Sequence, residues 1–89
     1  MASYRIEWKQ SAKKDIRKLD KTVIPSLLEA VAILSENPYP RGSKKLRGTE
    51  HTYRIRVGNY RVVYSVFSSV LTIEIVKVRH RKDVYRQLT

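Results

Sequence analysis

The chain has 89 residues, 19 Lys/Arg against 8 Asp/Glu, a formal net charge of +11 and no cysteine. That length suits one domain spanning 1–89, able to bury roughly 60–65% of its unfolded surface without a staple. The missing cysteines exclude a disulfide framework and a thiolate metal site, and no apolar run approaches the roughly 18 residues of a membrane span. The opening "MASYRIEWKQ" has no apolar core of a secretion signal, so the expected location is the cytoplasm. The charge is unevenly placed. Residues 1–40 hold 7 cations against 5 acids, net +2, whereas residues 41–89 hold 12 against 3, net +9. An excess of that kind, carried on strands, points to a polyanionic partner.

In chain order, "SYRIEW" (3–8) alternates and contains β-formers, which predicts a first strand. "SAKKDIRKL" follows with Ala12, Ile16 and Leu19 at helical spacing and Ser11 as the expected N-cap. A break at Asp20–Lys21 leads to a second helix from near Thr22 to about residue 36. Pro25 is tolerated in its first turn, where amides have no helical partner. Ile24, Leu27, Leu28, Val31 and Leu34 form its apolar stripe. "ENPYPRGSKK" is a turn-rich loop, after which the period changes from 3.6 to 2. "TYRIRV", "YRVVYSVF" and "LTIEIVKV" then read as three strands of a meander, joined by the short turns "GN" and "SS". The expected fold is α+β, in the order β-α-α-β-β-β. Two N-terminal helices pack on an antiparallel sheet, with a short C-terminal helix or tail.

A two-residue loop at Gly58–Asn59 sets the faces of the first hairpin. It pairs Val57 with Tyr60, Arg56 with Arg61, Ile55 with Val62, Arg54 with Val63 and Tyr53 with Tyr64. Tyr53, Ile55, Val57, Tyr60, Val62 and Tyr64 then share the face under the helices, and Arg54, Arg56 and Arg61 share the other. Like charges opposite one another are destabilising, by a few tenths to about 1 kcal/mol, although side chains splayed into screened solvent feel less. A planar guanidinium can grip phosphate oxygens bidentately, so the three arginines are candidates for a phosphate platform. Counting across "SS" sets Glu74 opposite Val63 and Val76 opposite Arg61. Arg79 then reaches the platform only if the strand ends or bulges near residue 78, freeing Arg79, His80 and Arg81. Lys45, Arg47, Arg81 and Lys82 are further candidates for RNA or phosphate contact.

Two stretches, "LRGTEHTYRIRVGNYRVVY" and "VKVRHRKDVYRQL", together resemble the RelE/ParE superfamily of bacterial and archaeal toxins, and within it the RelE branch. The opening "YRIEWKQSAKKDIRKLD" is similar to that family's first strand and helix, so the likeness covers nearly the whole chain. The resemblance implies a sheet like that of the microbial ribonucleases, carrying two N-terminal helices. It also implies an mRNA interferase, the toxin of a type II toxin–antitoxin system, which cuts messenger RNA in the ribosomal A site on the 30S subunit. A cognate acidic, RelB-like antitoxin would hold it inactive. The family's basic pair falls on Arg54 and Arg56, its next arginine on Arg61, its arginine after the last strand on Arg79 and its terminal tyrosine on Tyr85. His80 belongs to the "HR-x-DVYR" form of the ending. One departure matters: Arg54 and Arg56 stand where well-known members carry lysines. Arginine does not give up its proton, so those positions serve electrostatics and not proton abstraction.

The expected reaction needs neither metal nor cofactor. The 2′-hydroxyl attacks the adjacent phosphate, leaving a 2′,3′-cyclic phosphate and a 5′-hydroxyl. Arg56, Arg61 and Arg79 would meet the phosphorane charge while Arg54 holds the backbone. Tyr85 and His80 are the candidate proton carriers, since imidazole titrates near neutrality and cations bias a phenol toward its phenolate. Tyr85 could equally stack on a base. Two other readings stay open: a ParE-like inhibitor of DNA gyrase, and a non-catalytic RNA-binding relative.

Overall fold

The computed structural model describes residues 3–83 of the chain. Its elements are β1 (Arg5–Trp8), α1 (Gln10–Arg17), α2 (Ile24–Glu36), β2 (Lys44–Lys45), β3 (Thr52–Val57), β4 (Tyr60–Phe67) and β5 (Thr72–His80). Residues 81–83 turn helical. The strands form one sheet in the order β1-β5-β4-β3-β2. The fold is the expected α+β, with one added strand, the two-residue β2. The sheet is antiparallel except at one edge, where β1 lies parallel to β5 from Arg5↔Thr72 to Trp8↔Ile75.

The β3–β4 hairpin has the register that its turn dictates, from Val57↔Tyr60 to Thr52↔Ser65. Gly58, at φ +60°, takes the first turn position, where a type II′ hairpin needs a positive φ. The connection to β5 is not the two-residue turn that Ser68–Ser69 suggested. Ser68–Val70 form a 3-10 turn and Leu71 follows in the left-handed region, at φ 46°, so Phe67 pairs with Thr72. Glu74 therefore lies opposite Ser65 and not Val63. The shift is two residues, an even number, so Ile73, Ile75 and Glu74 keep their expected faces.

The core lies between the helices and one face of the sheet. Ala12, Leu27, Val31 and Leu34 meet Ile55, Val62, Tyr64, Val66, Ile73, Ile75 and Val78. Each such burial contributes about 1.5–3 kcal/mol for the larger side chains. The break between the helices is fixed by Asp20. Its Oδ1 accepts from the Thr22 amide and hydroxyl, both at 3.0 Å, and those bonds hold the carboxyl below its usual pKa. Ser11 is not the cap of α1. It lies inside the first turn, and its hydroxyl donates to Val76 O at 2.8 Å. That bond belongs to a second task of α1, closing the part of β5 that β1 is too short to pair. The Lys9 amide donates to Ile75 O at 3.0 Å, and the Val78 amide donates to Asp15 Oδ2 at 2.9 Å. An open strand edge is thereby satisfied by a helix.

Tyr64 ties the sheet to the loop after α2. It is fully buried and its hydroxyl donates to Pro38 O at 2.7 Å. Burial pushes its phenol up to about 12 from the ordinary 10.0. The unfolded chain therefore ionises this group first. Its contribution to stability is complete below pH 10 and is lost as the pH rises toward 12. Denaturant unfolding should show wild type weakening over that interval more than Tyr64→Phe, which has no phenol to ionise; parallel curves for the two proteins would refute this.

Candidate functional site

Opposite residues share a face, so the register lays rows of side chains across the side of the sheet away from the helices. One row is Arg56–Arg61–Arg79, contributed by β3, β4 and β5. The next is Lys44–Arg54–Val63–Lys77. A third is Thr52–Ser65–Glu74–Glu7, with Thr52 and Ser65 hydroxyls 3.0 Å apart and Glu7 bonded to Arg5 at 2.8 Å. The face is thus polarised, with cations at the Gly58 end and hydroxyls and acids at the other.

Arg79 joins the row through a bulge, two residues earlier than the sequence suggested. The register shifts between Val63 and Tyr64, leaving Val76 as the extra residue, so β5 continues to His80 instead of ending near residue 78. After the bulge Val78 faces the core opposite Val62, and Arg79 lies opposite Arg61. The same register turns His80 away from the arginine row. It pairs with Tyr60, and the two rings meet edge-on with centroids 5.6 Å apart. Its Nδ1 accepts from the Lys82 amide at 3.4 Å. His80 and Arg79 border a cleft of about 350 Å³ at the end of α1, which Asp15, Lys18, Tyr60 and Asp83 also line.

The arginines differ in their surroundings. Arg61 is 5% exposed; its Nη1 donates to Tyr60 O at 2.9 Å and Gly58 O at 3.3 Å, and its Nε has no partner among the described residues. Arg54 is 8% exposed and its buried Nη1 is likewise unpartnered. Arg56 is exposed and borders a shallow cleft against α2 with Ile55, Ile33 and Arg41. Arg79 is paired with Asp15 of α1. Buried charged donors without partners are costly, and a bound anion would satisfy them. Chemically, the face is suited to phosphate. Among the described residues no group of three or more His, Asp or Glu is gathered as metal ligands would be.

The outer candidates scatter. Lys45 pairs with Tyr53 and so belongs to the helix-side face, whereas its neighbour Lys44 pairs with Arg54 and stands on the cationic side. Sequence reasoning missed Lys44 because a two-residue strand carries no periodic signal. Arg47 is exposed in the turn between β2 and β3. Arg81 and Lys82 are exposed just past β5, and the Arg81 amide donates to Asn59 O at 2.8 Å. Tyr85 lies outside the described residues.

Comparison with known proteins agrees with this architecture. Residues 6–85 match the family model described as ParE toxin of type II toxin–antitoxin system, parDE. The chain is 31% identical to toxin RelG of Mycobacterium tuberculosis over 85 residues, covering 94% of this chain and 98% of that one. It is 30% identical to the mRNA interferase toxin RelE of Escherichia coli, covering 96% and 93%. The archaeal RelE–RelB complex of Pyrococcus horikoshii superposes with a TM-score of 0.79 at 36% identity, covering 89% of this chain and 96% of that one. With matches that span nearly the whole length of both partners, the chain belongs to the RelE/ParE superfamily of toxins from type II toxin–antitoxin systems, and its relatives place it in the RelE branch.

Proposed function

We propose that this toxin is a metal-independent endoribonuclease that cuts messenger RNA in the ribosomal A site. The observation that carries the reading is the row Arg56–Arg61–Arg79, with buried nitrogens on Arg61 and on Arg54 in the next row that have no partner among the described residues. The name of the Escherichia coli relative, an mRNA interferase, supports it. In the proposed step the 2′-oxygen forms a bond to phosphorus as the bond to the 5′-oxygen breaks. The 2′-hydroxyl proton is taken up and the leaving oxygen is protonated. Guanidinium groups meet the charge on the phosphorane, which is the larger part of the catalytic task. Proton transfer falls to Tyr85; His80, which the register turns away from the arginine row to meet Tyr60, has no part in the proposed step. The proposed inhibitor is an acidic, RelB-like antitoxin. A RelE–RelB complex is among the structural neighbours, and an acidic segment that folds along a basic face suits the charge of residues 41–89.

The test is digestion of a ribosome-bound message in chelator, under conditions that keep the ribosomes intact. Cleavage should persist and leave 2′,3′-cyclic phosphate and 5′-hydroxyl ends. Cleavage that stops with chelator would contradict metal independence. RNA binding without any cut product would favour a non-catalytic relative. The family model's own name favours one further reading, a ParE-like gyrase inhibitor. That reading predicts that induction halts DNA replication before protein synthesis, whereas the nuclease halts synthesis first.

A further inference from the structure

Among the described residues Arg79 is the one member of the arginine row paired with an anion of the fold, and the anion comes from a helix on the other side of the strand edge. Asp15 projects from α1 with its side chain 10% exposed. Its Oδ2 accepts the Val78 amide at 2.9 Å and pairs with Arg79 Nη1. The same Nη1 donates to Val78 O at 3.2 Å. Ser11, one helical turn earlier, is bonded to Val76 O, so α1 is locked to β5 at both ends of this contact.

We infer that Asp15 is a positioning residue for Arg79, setting the guanidinium plane from which a scissile phosphate is gripped. Among the described residues a single nitrogen, Nη1, carries both contacts of the guanidinium, which leaves the Nε–Nη2 edge of the fork for a second, bidentate anion. Without Asp15 the Arg79 side chain would keep the single bond from Nη1 to Val78 O against the repulsion of Arg61 opposite it, and would swing outward. An aspartate needed only to close the strand edge could be replaced by any acceptor of the Val78 amide. One that orients Arg79 needs its charge as well. Asp15→Asn separates the two roles, because the amide oxygen can still accept from Val78 and the amide group cannot neutralise a guanidinium.

The inference rests on the nuclease reading, so the experiment has one arm that does not require activity. Single-turnover cleavage of ribosome-bound message is measured for wild type and Asp15→Asn across ribosome concentrations. In parallel, nitrogen-15 NMR of the free proteins follows rotation of the Arg79 guanidinium. The Asn variant should cut at least ten-fold more slowly with an unchanged half-saturating ribosome concentration, since small misplacements of a catalytic group cost up to about a hundred-fold. Its Arg79 Nη resonances should average, while those of wild type show hindered rotation. A variant that cuts at the wild-type rate or faster would sink the positioning role and leave the nuclease reading standing. Freely rotating Arg79 in wild type would also sink it. Hindered rotation in a wild type that never cuts would support the anchor and overturn the nuclease.

Discussion

Arg61→Ala should lower cleavage of ribosome-bound message by about 10²–10³-fold while leaving the fold intact, the usual cost of deleting one preorganised donor to a developing anion. Arg61 stands in the middle of its row, between Arg56 and Arg79, and is 5% exposed. A guanidinium in that position is worth more than one in water, because the surrounding protein screens it less. Folding gains little from it. Like charges lie on both sides, and each such pair costs about 0.2–1 kcal/mol. Against that relief, the hydrogen bonds the alanine loses among the described residues are those from Nη1 to Tyr60 O and Gly58 O, at the exposed hairpin end. The thermal midpoint should therefore stay within a few degrees of wild type. Arg61→Lys should recover only part of the rate, since an ammonium cannot span two phosphate oxygens in the plane of a fork. Arg56→Ala should cost less than Arg61→Ala, because Arg56 is exposed at the end of the row and already screened. An Arg61→Ala protein within three-fold of the wild-type rate would remove the row from the chemistry.

The sequence made that row two-thirds visible. The Gly58–Asn59 turn set the β3–β4 register outright, and with it the adjacency of Arg56 and Arg61. The position of Arg79 was harder to read for two reasons. Ser68–Ser69 look like a complete hairpin turn, but the chain spends two more residues there and adopts a left-handed Leu71, which no glycine announces. The bulge did leave a trace. In "TIEIVKV" the alternation fails at Ile75–Val76, two adjacent apolar residues where a regular strand would have one, and Val76 is the residue the register skips. The Asp15–Arg79 pair was not legible at all. It depends on β1 pairing in parallel with β5, more than 60 residues away, and on α1 then lying along the uncovered half of that strand. Ser11 misled for the same reason: a serine at a helix start was spent on a neighbouring strand instead of its own cap. The fold itself was read through family resemblance and alternation together, and the two agree because both respond to the same buried face.

The largest stability effect should come from Tyr64→Ala, at about 3–5 kcal/mol, the range for deleting a buried aromatic ring. Tyr64 has no exposed surface, and it heads a run of rings that leads out of the core. Tyr53 stacks on it at 6.0 Å between centroids, and Tyr39 meets Tyr53 edge-on at 5.0 Å. Removing Tyr64 takes away the ring that supports the other two and leaves Pro38 O, on a buried residue, without its donor. A domain of this size holds about a third of its stability in such a sum, since net values run about 5–15 kcal/mol. The thermal midpoint should fall on the order of 20 °C, at roughly 4–8 °C per kcal/mol. Tyr64→Phe isolates the hydroxyl, and should cost about 1–3 kcal/mol because the ring stays and only the donor is lost. Both substitutions act from the helix side of the sheet, with the hydroxyl directed to the loop before β2 and away from the arginine row. Tyr64→Phe should therefore cut message within two- to three-fold of wild type at a temperature where it stays folded. Paired melting and cleavage curves measure both quantities. A Phe variant as stable as wild type would show that the bond to Pro38 contributes nothing. One that is stable but inactive would show that the two faces of the sheet are coupled, against the division of labour argued from the register.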